Sequence, residues 1–352
     1  MKTNKFLIGF LLQATVCSSG LHAQTDLHAN AYSIIQDAVT DIVCTSPTDA
    51  IQKEKRVIQI LDGKGKGDAS FVCMCDRFSS LKKFSGEVRD ASGNVIRKIK
   101  KSELKVTEYS DELVSDDYYY FFEYTPSRYP ITITYEWEIK NSDGLIGYPS
   151  FLPQKNYNQS VAQASYRILT PADNPCRYRT INMQAEVSQK QTTDGNWLTE
   201  VKVQSLPAIQ KEPYSPALSE LLPRIYFTPR NFSFEGTKGS MDNWQTYGAW
   251  QYQLLSGRDQ IPPALKEELQ RRTANCNTPY EKIAAVYQYL ASTTRYVSIQ
   301  LGIGGLQPIA AADVHRTGFG DCKGLSNYMR AMLTELGIPS TYTVISTTNR
   351  RL

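Results

Sequence analysis

Gly318-Phe319-Gly320-Asp321-Cys322-Lys323-Gly324 opens the stretch that decides the fold. After Cys322, Leu325, Tyr328, Met329, Met332, Leu333 and Leu336 recur at helical spacing and mark one apolar face. Gly318 and Gly320 free the backbone to turn tightly, and Asp321 reads as the N-cap. Gly337 fits the position just past the last turn, and Pro339 bars continuation. Cys322 therefore falls in the first turn of a buried helix. Unpaired N–H groups and the positive end of the helix dipole favour negative charge there, a common mounting for a cysteine nucleophile. The competing reading is structural, because cysteine is among the most buried residue types and often serves as apolar filler. Spacing alone leaves both open.

Upstream, the pattern predicts a helix from about Pro262 to Thr273. A second begins at Thr278-Pro279-Tyr280-Glu281, where a Thr N-cap, Pro at the first position and Glu at the third form a capping box. Ile283, Val286, Tyr287 and Leu290 supply its apolar face. Downstream, Thr341–Thr347 alternates and is rich in β-branched residues, so it reads as a core strand.

In order, Tyr296, Leu306-Gln307-Pro308, Ala312-Asp313-Val314, Phe319-Gly320-Asp321-Cys322-Lys323 and Leu333-Thr334-Glu335-Leu336-Gly337-Ile338-Pro339 resemble the transglutaminase-like superfamily. The resemblance implies that the cysteine opening the central helix is the nucleophile, which gives that place to Cys322. It also implies a helix packed beside the cysteine helix, and a histidine and an aspartate on strands downstream. A thiol nucleophile needs such a base and a group to orient it. The histidines of this chain are His22, His28 and His315. His315 sits on a segment that carries no catalytic role in the family, and a solvent-facing or capping place is expected for it. The core is therefore expected to be C-terminally incomplete, through truncation of a longer protein or with a second polypeptide completing it.

From Ala29 to about Leu206 the pattern is mostly strands. Ile131 to Lys140 alternates apolar and polar residues without a break, the mark of a strand with one buried face. Asp90-Ala91-Ser92-Gly93-Asn94 sits between strand-like runs and reads as a hairpin loop, and Asp194-Gly195-Asn196 divides Ile181–Lys190 from Trp197–Val203 in the same way. An antiparallel sandwich or open barrel follows. Asp62-Gly63-Lys64-Gly65-Lys66-Gly67-Asp68 has neither phosphate-loop spacing nor a calcium ligand ladder, and reads as a flexible turn. Tyr118-Tyr119-Tyr120-Phe121-Phe122 reads as a buried or edge strand rather than a carbohydrate-stacking platform. Tyr129 to Trp137, Gly147 to Gln154 and Ala164 to Pro171 are similar to the β-rich domain of unknown function that precedes transglutaminase-like cores in bacterial envelope proteins. Residues 207–257, rich in proline and aromatics, read as an irregular connector packed along both parts.

Lys2 and Lys5 precede an apolar run from Phe6 to Val16, with small residues and Ala23-Gln24 beyond it, the pattern of a cleaved secretory signal. The run is too short to span a bilayer, and Ala14-Thr15-Val16 is a poor acylation context for Cys17. A formal charge of +4 in 352 residues argues for neither nucleic acid nor an anionic membrane as partner. Cys73-Met74-Cys75 places both thiols on one strand face, as structural filler or as one bridge to Cys44 or Cys176, with too few soft ligands nearby for a metal.

The fold expected is α+β: a β-rich antiparallel sandwich-like N-terminal domain followed by a partial papain-like or transglutaminase-like core. Its parts are a signal peptide (1–23), the β-rich domain (24–206), the connector (207–257) and the transglutaminase-like domain (258–352). The function expected is thiol acyl transfer or hydrolysis at amide or peptide carbonyls through Cys322, or an inactive form of that core where no His or Asp partner follows the cysteine, in the periplasm, cell envelope or medium. The substrate would be a protein or peptide, with no cofactor, no metal and no transmembrane segment. The rival reading is a non-catalytic envelope module that binds protein or glycan on the same scaffold.

Overall fold

A computed structural model describes residues 26–108 and 114–345. The apolar run Phe6–Val16, Cys17 and His22 lie outside the described residues. The N-terminal region opens with β1 (Ser33–Cys44), β2 (Ala50–Ile60), β3 (Phe71–Cys75), β4 (Ser79–Arg89) and β5 (Val95–Lys100). It continues through β6 (Lys105–Glu108), β7 (Val114–Ser115), β8 (Tyr118–Phe122), β9 (Ile131–Asn141) and β10 (Tyr148–Phe151). β11 (Gln159–Thr170), β12 (Arg177–Ile181), β13 (Val187–Gln191) and β14 (Trp197–Leu206) follow. Eight of these form one sheet in the order β13-β14-β11-β1-β2-β9-β4-β5. Every pairing in it is antiparallel except β1 with β11, which run parallel from Ser33↔Gln159 to Val43↔Leu169.

β9 shows why these residues make a one-sided sheet. Ile131, Ile133, Tyr135 and Ile139 are buried, while Glu136 between them is exposed. Register carries that face across the strands: Ile133 opposes Ile58, and Ile58 opposes Ile35, which opposes Val161. Both apolar cores of the region use this face. Ile58, Ile60, Ile131, Ile133 and Tyr135 pack against β3 and β8, with β3, β8 and β6 forming one small covering sheet. Ile35, Val161, Tyr166 and Val201 pack against β10 and a later strand, β15 (Arg224–Thr228), which form the other covering sheet with β12. The outer face is polar, with ion pairs such as Lys83–Glu138 at 3.0 Å and Arg167–Glu200 at 3.1 Å.

Both hairpin loops form, with Gly93 and Gly195 at positive φ (86° and 81°). The second strand pair starts later than its sequence suggests, because Ile181 closes β12 in a covering sheet and β13 begins only at Val187. The tyrosine-rich run is neither edge nor fully buried: β8 lies between β3 and β6, half-buried along its length. The glycine-lysine segment is a 3-10 helix over Gly63–Ala69 rather than a flexible turn, capped by Asp62, whose Oδ1 accepts from Lys64 N at 2.7 Å. Cys73 and Cys75 lie in one core and Cys44 and Cys176 in the other, all as free thiols, so the bridge between these pairs does not form.

Residues 207–257 are more ordered than an irregular connector. A short helix α1 (Leu218–Leu221) leads into β15, then a hairpin of β16 (Asn231–Phe234) and β17 (Thr237–Ser240), then α2 (Trp244–Gln253). Phe232, Phe234, Trp250 and Leu254 form a core of their own, with the Phe232 and Trp250 rings edge to face at 4.8 Å. α3 (Pro263–Thr273), α4 (Pro279–Thr293), β18 (Arg295–Tyr296), β19 (Ile299–Gln300), α5 (Ala311–Thr317), β20 (Phe319–Gly320) and α6 (Cys322–Glu335) complete the described fold. Leu265 and Leu269 of α3, Val286 and Tyr289 of α4, Val314 of α5 and Met332 of α6 share the C-terminal core. The capping box at Thr278 forms, with Glu281 N on Thr278 Oγ1 at 3.2 Å and Thr278 N on Glu281 Oε2 at 3.1 Å. Its helix is rotated from the expected face: Ile283 and Tyr287 are exposed, and Tyr289 goes inward with Val286. Residues 341–345 lie in no strand, and the rest of that expected element is outside the described residues.

One glycine in the 3-10 segment is required by close approach. A Cβ on Gly65 would lie 2.3 Å from the Tyr32 carbonyl oxygen, which already accepts from Leu61 N at 3.0 Å. Gly65→Ala should therefore cost about 1–3 kcal/mol, as overpacking does. Urea unfolding of the two proteins measures it, and Gly67→Ala, where nothing lies within 4 Å of the added carbon, serves as the matched control.

Candidate active site

The chain entering α6 is held on both sides. Gly318 ends α5 in the left-handed conformation (φ 69°), its N–H on Val314 O at 2.9 Å. β20 then runs parallel to β18, with Arg295 N on Gly318 O and Val297 N on Gly320 O, both at 3.0 Å. Asp321 follows in extended backbone, only 2% exposed. Its Oδ1 accepts from Gly324 N at 2.8 Å, and its Oδ2 pairs with the Lys323 ammonium. This is an N-cap made with a buried, charge-paired carboxylate.

Cys322 is the first helical residue, and its side chain is exposed. The filler reading expects a buried side chain, which Cys322 does not have among the described residues. Its own N–H and that of Lys323 precede any intrahelical acceptor, so they remain available as donors beside the thiol. The far end of α6 closes as expected. Gly337 takes φ 72°, Gly337 N bonds Thr334 O at 3.0 Å and Ile338 N bonds Leu333 O at 2.9 Å.

Two features around the helix were not visible in the apolar pattern. Asn327, fully buried on the stripe with Ala331, donates its Nδ2 to Arg258 O at 2.7 Å. The same carbonyl accepts from Ala311 N at 2.8 Å, and Arg330 reaches both Asn327 Oδ1 and Asp259 Oδ2 at 3.2 Å. This polar clamp ties α6 and α5 to the chain entering α3. Tyr342, inside the stretch read as a strand, is half-buried beside the thiol. Burial first, then the negative charge of Cys322 and of Asp321, holds its phenol above the ordinary range.

Neither described histidine serves the thiol. His28 is exposed near the N-terminus of the described chain. His315 is half-buried on α5, its Nδ1 3.1 Å from the Tyr328 hydroxyl, so it satisfies a buried phenol rather than facing solvent or capping. Among the described residues no group of three or more His, Cys, Asp and Glu side chains could hold a metal ion.

With this geometry in view, two family models match the chain. Residues 50–210 match DUF3857, a domain of unknown function with a solved structure, and residues 267–350 match the transglutaminase-like superfamily. The chain thus carries a DUF3857 domain followed by a transglutaminase-like core, in the order its sequence implies. A crystal structure of a candidate protease from Parabacteroides distasonis is similar at 14% identity and a TM-score of 0.64, over 88% of this chain and 59% of that one. At that identity the likeness concerns the fold alone, and this chain spans 59% of that protein's length. An M1 zinc metallopeptidase from Deinococcus radiodurans is matched at 8% identity and a TM-score of 0.28, over 71% of this chain and 54% of that one, which carries no argument. The curated proteins contain no match. Among the described residues no helix is long and apolar enough to cross a membrane.

Replacing Asp321 by Ala removes the cap and leaves the Lys323 ammonium without its partner. A loss of about 1–2 kcal/mol is expected from the cap alone, and Asp321→Asn, which keeps an oxygen for Gly324 N–H, should lose less. Chemical denaturation of the three proteins ranks them.

Proposed function

We propose that this chain is an exported thiol enzyme of the transglutaminase type, acting on amide or peptide carbonyls through Cys322. The observation that carries the reading is an exposed cysteine at the first position of a core helix whose cap is a buried carboxylate. With a general base from outside the described residues, Cys322 Sγ would give up its proton and attack the carbonyl carbon; that proton would pass to the leaving amine, forming a thioester that water or a second amine resolves. The free N–H groups of the first turn would hold the oxyanion. The Asp321–Lys323 pair keeps that turn rigid, so Cys322 is presented without rearrangement. Protein or peptide substrates fit the family match, and export rests on the N-terminal sequence pattern.

Two measurements test this. Cys322→Ala should lower amine incorporation or peptide hydrolysis by ~10³-fold or more, with an unchanged far-UV spectrum and melting temperature. Full activity in the folded variant would sink the proposal and favour the binding-module reading. Alkylation separates the thiols by access. Iodoacetamide should label Cys322 first and the half-buried Cys276 later. Cys44, whose thiol burial pushes up to about 12, should react only in denaturant, as should Cys73, Cys75 and Cys176. Peptide mapping after timed quenching reads the order.

A further inference from the structure

β2 begins in one core of the β-rich domain and ends in the other, and its inner face is polar between them. Ala50 belongs to the first core and Ile58 and Ile60 to the second. Gln52, Glu54 and Arg56 lie between, on the same face by strand alternation. Gln52 and Glu54 are buried and bonded to each other, Nε2 to Oε1 at 2.8 Å. Arg56 is different. Its nearest carboxylate, Glu54, is 3.9 Å away, beyond hydrogen-bond reach. Its Nε is shut away from solvent with no partner, and among the described residues its guanidinium donates no hydrogen bond. The guanidinium carbon lies 5.6 Å from the Trp137 ring centroid.

A second cation stands beside it. Lys155 is exposed. Loss of hydration first, then the charge of Arg56, pushes its amine down to about 8, with Glu54 working the other way. Its ammonium has no ion pair among the described residues. Asp68 is the other carboxylate nearby, accepting hydrogen bonds from the neutral side chains of Ser33, Asn156 and Gln159.

Both cations face space. A cavity of about 230 Å³ and another of about 170 Å³ are each lined by Ile35, Arg56 and Lys155. The first adds Asn156, Tyr135, Trp137 and the carboxylate of Asp68, and the second adds Thr40, Ser150, Ser165 and the carboxylate of Glu54. Unmet donors on a planar guanidinium and a neighbouring ammonium, with neutral polar groups alongside the two carboxylates, are chemistry that can recognise an oxyanion. Arg56 Nε is buried without a hydrogen-bond partner, and an anion that accepted from it would remove that cost.

We propose that Arg56 and Lys155 form a binding site for the carboxylate or phosphate group of a small anionic ligand, set in the seam between the two cores of the β-rich domain. The site is independent of Cys322. Calorimetric titration of the full chain with inorganic phosphate and with succinate, at low ionic strength and pH 7, tests it. Saturable binding of at least one anion is expected; phosphate alone would assign a phosphate group, and succinate alone a carboxylate. Lys155→Gln, at an exposed loop position, should weaken that binding roughly tenfold or more, the scale of one charge-assisted hydrogen bond. Arg56→Gln should abolish it and remove the rise in melting temperature that the anion gives the unaltered protein. No saturable binding of either anion, or equal affinity in the unaltered protein and Lys155→Gln, would overturn the proposal.

Discussion

The C-terminal part of the molecule depends on one buried carboxylate. Asp321 closes the first turn of α6 through Gly324 N–H and holds Lys323 across that turn. Burying such a group is favourable only when its charge is matched and its lone pairs are used, and both conditions are met here. Because the carboxylate faces inward, the next residue faces outward, and that residue is Cys322. The local geometry of a helix cap thus decides which side chain is presented to solvent. β18 and β20 fix the approach to the cap, and the Arg258 carbonyl, gripped by Asn327 and Ala311, fixes the helix behind it.

The β-rich and C-terminal parts of the chain meet at a small electrostatic knot beside the apolar cluster of Phe234 that takes Phe78, Ile146, Ile303 and Leu306. Arg77, in the loop after β3, pairs with Glu235 at 3.0 Å and lies 4.0 Å from Asp116. Each acid also accepts a backbone N–H from the turn at Gly302: Asp116 from Gly302 at 3.1 Å, Glu235 from Ile303 at 3.0 Å. β7 and β19 pair beside this knot. The half-exposed Arg77 weakens each pair singly, but three groups sharing one turn constrain its position more than an isolated surface pair would.

Much of this was legible because helix ends and hairpins are written locally. The Thr278 box, the Asp321 cap, the Gly337 stop and the Gly93 and Gly195 loops each need only a few adjacent residues, and each formed. The inward stripe of α6 was equally plain. What escaped was tertiary. Ile283 and Tyr287 share a helical face with Val286, yet the neighbouring helices take Tyr289 instead. The order within residues 207–257 comes from β15 pairing with β10 and β12, strands far earlier in the chain. Tyr342 acquires a place only because the chain after Gly337 returns toward the cap. Arg56 sits in an alternating strand and looks like any solvent-facing charge until the register puts it on the inner face.

The parallel pairing of β1 with β11 carries a consequence for how the molecule is made. Its partners Ser33 and Gln159 are 126 residues apart, and β1 is the central link between β2 and β11. Closing so long a loop is entropically costly and rewards the chain only once β11 exists. During synthesis β1 and β2 can pair early as a hairpin, but one edge of β1 stays open until residue 170 has emerged. The sheet that makes this part of the protein rigid therefore cannot close while its second half is still being made.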